Sequence, residues 1–298
     1  MLGIVVVVYK SLDQTVGFIK NELSKIVIPH KTVIVNNAAS NEESAIMAEA
    51  CGASLVLFNQ PINRDQDLFL ISSEQNLGYA KGNNLGAKFL NDNYSIEFLL
   101  FSNNDIEISS NNVVVTLIEK INTDKEIGMI GPRIIGPDGM DQSPQKEISF
   151  MRYFAWNVFP FFKGKLKLLR NHDVKTEEVS AEGFCYWVSG CFFISRAVSF
   201  FNVGMFDEHT FLYGEESILA ERMMQIRQYS YYVPEVCIIH HSGGTTNLHF
   251  NSEWINTESF QNMCYYYEAY KKINPFYIKI LKALKKLLSH RILRDLHK

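Results

Sequence analysis

The feature that most constrains this chain is an alternation, in which short apolar runs rich in β-branched residues take turns with helical patterns through the first hundred residues. Residues 3–8, 32–35, 55–58, 68–71 and 97–101 predict strands, and 14–25, 42–51 and 80–91 predict helices between them. Repetition of this kind predicts a mainly parallel sheet with crossover helices on its faces. In such sheets ligands bind beyond the carboxyl ends of the strands. Four polar stretches follow strand runs here, at Tyr9, Asn36 to Ser40, Asn76 to Asn84 and Asn103 to Asp105, and they would meet along one edge.

A chain of 298 residues with 47% hydrophobic content can bury one large α/β domain with an appendage. Its net charge of −3 hides an asymmetry: residues 271–298 hold nine Lys or Arg and one acid, Asp295, leaving 20 basic against 31 acidic residues upstream. A helix through that tail would put Ile280, Leu281, Leu284, Leu287 and Leu288 on one face, with Lys279, Lys282, Lys285 and Lys286 largely away from it. Such a helix would lie on an anionic membrane surface, or pack on the acidic domain or on a second copy of the chain. Nucleic acid is not an expected partner, because the remainder is acidic and carries no recognised nucleic-acid module. Five scattered cysteines with no Cys-x-x-Cys pair point away from zinc knuckles and disulfide frameworks and towards a reducing cytoplasm. No basic region precedes residues 3–8, and that run is too short to span a bilayer, so it predicts a buried first strand.

Two carboxylate motifs about a hundred residues apart carry the chemistry. Ser102-Asn103-Asn104-Asp105 closes an apolar run, where a carboxylate at a strand end suits a divalent metal; a plain turn is the competing reading. Phe211-Leu212-Tyr213-Gly214-Glu215-Glu216 offers a carboxylate pair placed as a base, against a reading in which two acids merely face a helix dipole. Between them, Gly78 to Gly86 opens a helix where glycines admit a ligand and free N–H groups favour an anion, unless the glycines serve turns and close packing. No GxGxxG follows the first strand, which ends Tyr9-Lys10-Ser11, so a nicotinamide cofactor is not expected. Residues 236–239 predict a buried strand delivering His240 and His241 to a Gly-rich stretch, 242–246, suited to a metal or diphosphate. Residues 150–170 mix seven aromatics with lysines, fitting an acceptor-facing flap, a membrane patch or ordinary core.

In the order and spacing of these motifs, residues 3–246 resemble the family 2 glycosyltransferases of the GT-A fold, notably the rhamnosyl- and galactosyl-type members of bacterial capsule and O-antigen synthesis. The resemblance implies donor contacts at Tyr9, Asn36, Asn37, Ala38, Asn76, Gly78, Lys81, Asn84, Asn103 and Asn104. Asn36 stands where the family carries a base-contacting aspartate, keeping hydrogen bonding without the charge. Asp105 falls at the metal motif, and the spacing to Thr245 favours His240 over His241 as its companion for Mn2+ or Mg2+. The family's Glu-Asp pair becomes Glu215-Glu216, which puts the base at Glu216, while Ile218 replaces an acid often found two residues later. Gly190, Asp207 and Glu208 fall on the acceptor side.

What this implies is inverting transfer of one sugar from a UDP- or dTDP-linked donor to a hydroxyl of a glycan or lipid-linked acceptor. The Gln-x-x-Arg-Trp signature of processive synthases is absent. Residues 1–250 would form the catalytic domain and 251–298 a helical extension, in the cytoplasm or on the inner face of its membrane. Two rivals remain. A non-catalytic nucleotide-sugar binder could share the fold, and a nucleotidyltransferase would want a Gly-rich, Lys- or Arg-bearing loop after the first strand, which this chain lacks.

Overall fold

The computed structural model describes residues 1–57, 61–159, 181–241 and 250–296, with the side chains of the last stretch described as far as Leu288. Strands β1 (Leu2–Tyr9), β2 (His30–Asn37), β4 (Leu68–Ser73) and β5 (Phe98–Ser102) run parallel, and the two-residue β3 (Ser54–Leu55) borders β4. Leu100, Val5 and Val33 are wholly buried, because helices cover both faces and the strands become continuous apolar runs. The expected helix at 14–25 is α1 (Leu12–Gly17) continued through a π-turn, Phe18–Glu22, and a 3-10 turn, Leu23–Lys25. Helix α2 (Asn41–Cys51) starts from a capping box in which Ser40 and Glu43 each satisfy the other's backbone N–H. Helix α3 (Gly78–Asn93) lies tightly on the sheet, since a Cβ on Gly86 would sit 2.5 Å from Val5 Cγ1.

The second half is mixed in direction. It comprises β6 (Ile106–Ile108), α4 (Val113–Thr123), β7 (Ile127–Ile135), β8 (Asp141–Ser143), α5 (Phe150–Val158), β9 (Gly183–Cys185), β10 (Phe192–Arg196), α6 (Ala197–Asn202), α7 (Glu215–Gln225) and β11 (Tyr229–His240). Helices α8 (Ser252–Ala269) and α9 (Pro275–Leu296) follow. The strands join one sheet in the order β3-β4-β2-β1-β5-β10-β7-β11-β6, with β8 on β7 and β9 on β11. Beside the middle strand β5 stands β10, antiparallel to both β5 and β7, a reversal that the strand–helix alternation of the first hundred residues does not announce. The α/β class and the mainly parallel sheet expected from the sequence are what the chain adopts.

One apolar cluster fills each face of the sheet, and a third gathers Ile218 of α7 with Phe260, Cys264, Tyr266 and Tyr267 of α8 and Ile278 and Leu281 of α9. Phe150, Tyr153 and Phe154 of α5 pack against that third cluster, so the described part of the aromatic segment at 150–170 is largely packed; residues 160–170 lie outside the described residues. The apolar face expected along the tail divides. Leu281 is buried, whereas Leu287 is 61% exposed, because α9 turns one side to α8 and α5 and the other to solvent.

Candidate active site

Two cavities open at the carboxyl ends of β1, β2 and β5. The first, about 240 Å3, lies between the ends of β1 and β2 and helix α2, lined by Lys10, Ser11, Asn36, Asn37, Ala38 and Glu43 among others. The second, about 130 Å3, is bounded by Tyr9, Asn37, Asn76, Gly78, Asn103 and Asp105, with Phe211 and Leu212 opposite. Asn37 belongs to both walls. Its Nδ2 donates to Gly78 O at 3.2 Å, and its buried Oδ1 has no partner. Lys10 (φ 48) and Ala38 (φ 52) take left-handed backbone at the mouth of the first cavity, a strain of about 1–3 kcal/mol each that tends to gather at functional sites.

At the end of β5, the chain turns and places Asp105 beside His240, carried there by β11 through its pairing with β6. His240 Nε2 lies 3.2 Å from Asp105 Oδ1 and 3.4 Å from Asn103 Nδ2. His240 Nδ1 is 2.7 Å from Gln142 Oε1, an acceptor, so Nδ1 holds the proton and Nε2 faces Asp105. Burial pulls this imidazole down, but Asp105 and Cys191 beside it lift it to about 10. Asp105 Oδ1 is buried with no hydrogen bond aligned on it. With its pKa so raised, the ring is protonated and paired with Asp105 when no metal is bound, and a divalent cation would take the place of the Nε2 proton between the two side chains. Among the described residues no three His, Cys, Asp or Glu side chains converge, so donor oxygens and water would complete the shell. His241 is instead exposed and lies 3.3 Å from Glu107, and residues 242–246, with Thr245, lie outside the described residues.

The carboxylate pair begins α7. Tyr213 (φ 72) and Gly214 (φ 96) turn the chain left-handed into Glu215 and Glu216. Glu216 is half-buried; burial raises its carboxyl, while the backbone N–H groups of Glu216, Gly190 and Gly214 pull it back. Glu215 is 2% exposed, one of its oxygens lacks a partner, and burial followed by the charge of Glu216 raises it well above the usual carboxylate range. Burial thus raises both carboxyls, and Glu215 further because the charge of Glu216 adds to it, although its own N–H and that of Tyr213 oppose the shift. Gly190 is pressed against Glu216, since a Cβ there would lie 2.4 Å from its Oε1.

Tyr79 joins the cavity to this seat. Its hydroxyl donates to Gly190 O at 2.6 Å, and its N–H donates to Phe211 O at 2.8 Å. Gly78 (φ 71) is required at that crossing because a Cβ would meet Phe211 O at 2.3 Å. Gly78 N takes Asn76 Oδ1 at 3.1 Å, so the first two N–H groups of α3 are satisfied within the protein rather than offered to an anion.

Other sequence-derived candidates are engaged elsewhere. Asn36 is 2% exposed on the first cavity's wall and donates to Ser44 Oγ at 3.1 Å. Asn104 donates to Ser11 Oγ and Thr15 Oγ1, both at 2.9 Å, which ties α1 to the end of β5. Asn84 clamps Phe206 through its N–H and C=O and donates to Glu208 Oε1 at 3.2 Å. Lys81 stands exposed on α3 and lines neither cavity. Burial would raise Asp207, but the hydroxyls of Tyr270 and Tyr265, the His209 N–H and Arg222 hold it below its ordinary value, a bonded knot between the 205–210 loop and α8. Sequence reasoning missed Tyr79, although it sits inside the Gly78 to Gly86 stretch, and it missed Gln142 and Phe250. Phe250 stacks on Tyr9 with ring centroids 5.8 Å apart; neither it nor Gln142 carries a motif signal.

No family model matches the chain. It is 29% identical over 217 residues to the low-salt glycan biosynthesis hexosyltransferase Agl10 of Haloferax volcanii, covering 72% of this chain and 59% of that protein. It is 25% identical over 194 residues to the N-acetylglucosaminyl-diphospho-decaprenol L-rhamnosyltransferase of Mycobacterium tuberculosis, covering 62% of each. The chain therefore spans about three fifths of the curated relatives it matches. Among solved structures, the mannosyltransferase PcManGT of Pyrobaculum calidifontis, in complex with GDP-Man and Mn2+, superposes with a TM-score of 0.58 at 12% identity, over 96% of this chain and 69% of that one. Staphylococcus aureus TarS, residues 1–349, gives 0.52 at 14% identity over 91% and 73%. The curated relatives are glycosyltransferases, and the fold of this chain is that of the GT-A glycosyltransferases.

Proposed function

We propose that this chain is an inverting, metal-dependent glycosyltransferase that moves one sugar from a nucleoside diphosphate sugar to a hydroxyl of a lipid-linked glycan intermediate. The observation that carries the reading is the cavity itself, with the under-satisfied Asp105 in its lining and His240 beside that carboxylate, and with the Glu216 seat joined to its wall through Tyr79 and Gly190. The relatives' names support the acceptor class, and the neighbours' Mn2+ supports the metal.

In this reading the nucleoside of UDP or dTDP occupies the first cavity, against Lys10, Ser11, Asn36 and Asn37. Asp105 and His240 hold the Mn2+ or Mg2+, which when bound neutralises charge developing on the departing diphosphate. Glu216 takes the proton of the acceptor hydroxyl as that oxygen bonds to the anomeric carbon, and the electron pair of the breaking bond leaves with the diphosphate. A single base that takes the acceptor proton while the diphosphate departs from the opposite face corresponds to inversion. Residues 1–250 carry the chemistry. No helix among the described residues is long and apolar enough to cross a membrane. On α9, the outward Phe276 and Leu287 and the exposed Lys279 and Lys282 suit an anionic inner membrane face, where the acceptor would reside.

The test is calorimetry of UDP-, dTDP- and GDP-sugars with and without Mn2+ or Mg2+, on wild type, Asp105→Asn and Glu216→Gln. Metal-dependent binding of one nucleotide class, weakened by Asp105→Asn, is expected, with Glu216→Gln retaining the donor and losing transfer. Turnover unchanged in Glu216→Gln would sink the assigned base; binding without turnover in the wild type would favour a non-catalytic nucleotide-sugar binder. Sedimentation with anionic vesicles tests the placement of α9, and dimers on size-exclusion chromatography without vesicle binding would assign that face to a second copy.

A further inference from the structure

The loop that precedes the base has two duties. Phe211 and Leu212 wall the second cavity, Phe211 O anchors the start of α3, and three residues later the same loop launches Glu215 and Glu216. To make that turn it takes two consecutive left-handed residues, and the first of them, Tyr213, has a side chain. A left-handed non-glycine residue persists only where its surroundings over-determine it.

The over-determining contact comes from the C-terminal extension. Asn262, on α8, is 4% exposed, and its Nδ2 donates to Leu212 O at 2.9 Å and to Tyr213 O at 3.1 Å. Glu258 Oε1, one turn earlier on α8, lies 3.4 Å from the same nitrogen and orients the amide. Gly214 passes so near that a Cβ on it would sit 3.6 Å from Asn262 Cβ. Beneath this contact Ile218, one turn into α7, is buried with Phe260, Cys264 and Ile278. Helix α8 therefore holds the base loop by two carbonyls and the base helix by its apolar underside.

We propose that Asn262 is a positioning residue for transfer, whose amide clamps Leu212 and Tyr213 so that Glu216 sits under the Gly190 and Gly214 N–H groups; this rests on reading Glu216 as the base. Helix α8, outside residues 1–250, then positions the base without touching the reacting groups.

Asn262→Asp keeps the shape and replaces the double donor with a group that repels both carbonyls. Transfer from the donor found by the calorimetric screen should fall about 100-fold in kcat, the scale of a 1 Å misplacement, with donor affinity within about threefold of wild type. The acid limb of the pH–rate profile should move to higher pH, because a displaced Glu216 loses N–H groups that hold its carboxyl down. Tyr213→Asn, which tolerates left-handed backbone better, should make the loss smaller in the double variant. Tyr265→Phe removes another buried bond of α8, 2.8 Å to Asp207, and should lower Tm while leaving kcat alone. A folded Asn262→Asp with kcat within threefold of wild type and an unmoved acid limb overturns the proposal. If that variant does not fold, Asn262→Ala is read by the same two criteria. Failure of the base assignment is separate: it shows as full turnover in Glu216→Gln, whatever the Asn262 variants do.

Discussion

Replacing Gly190 by alanine tests the proposed role of Glu216 through its seat. The backbone of Gly190 lies outside the left-handed region, so alanine brings no dihedral strain; what it brings is a methyl 2.4 Å from Glu216 Oε1 and 3.0 Å from Cδ and Cγ. Ordinary contact begins near 3.4 Å, so the carboxylate must retreat by about 1.0 Å. Displacements of about 1 Å at a reacting group cost on the order of 100-fold, which is roughly 2.7 kcal/mol of barrier. The retreat also loosens the Gly190 N–H bond that stabilises the ionised form. Single-turnover transfer to an acceptor that the wild type uses should therefore slow about 100-fold. Donor affinity, measured by calorimetry, should hold, because Gly190 lines neither donor cavity. A Gly190→Ala protein of native stability that transfers within threefold of the wild-type rate would refute the seat.

Glu215→Gln is expected to stabilise the fold, with a pH dependence that identifies the cause. The Glu215 carboxyl sits above its unfolded value of 4.5, so the native state holds that proton more tightly than the unfolded chain does. Its contribution is present in full below pH 4.5 and is lost as the pH rises through the elevated value, so urea midpoints of variant and wild type should diverge at pH 7–8 and coincide at pH 4. Gly78→Ala combines φ 71 with a Cβ 2.3 Å from Phe211 O and should cost roughly 2–4 kcal/mol in urea unfolding. Asp105→Asn should lower Mn2+-dependent donor affinity by roughly 10- to 100-fold in calorimetry, while donor binding without metal stays unchanged.

The sheet was legible because its strands are buried on both faces. Val5, Val6, Val33 and Ile34 stand in unbroken apolar runs, and the capping pair Ser40 and Glu43 marks the start of α2. The meeting of Asp105 with His240 in the candidate site was legible because each stands at a strand end. It was illegible where a polar side chain satisfies the protein itself. Asn84, Asn104 and Asp207 look like ligands in a linear motif, and only the fold shows Asn104 bonded to Ser11 and Thr15, or Asp207 to two tyrosines of α8. Gln142 and Asn262 show the converse, for contacts spanning 98 and 50 residues leave no local pattern to read. The tail pattern misled because one helix can be apolar on two sides, with Leu281 facing the body and Leu287 the solvent.

The place of β10 bears on how the protein is made. Residues 192–196 knit β5 to β7, so the two halves of the sheet have no shared hydrogen bonds until this strand is in position. A ribosome that has emitted only the first 190 residues presents β5 with an open inner edge of Phe98, Leu99, Leu100 and Phe101. Bare apolar edges of this sort recruit other chains. Truncations ending between β5 and β10 should accumulate as aggregates in cells, and those extending past α6 should yield less of them. The dividing line falls inside the sheet, well before the chain reaches its carboxylate pair.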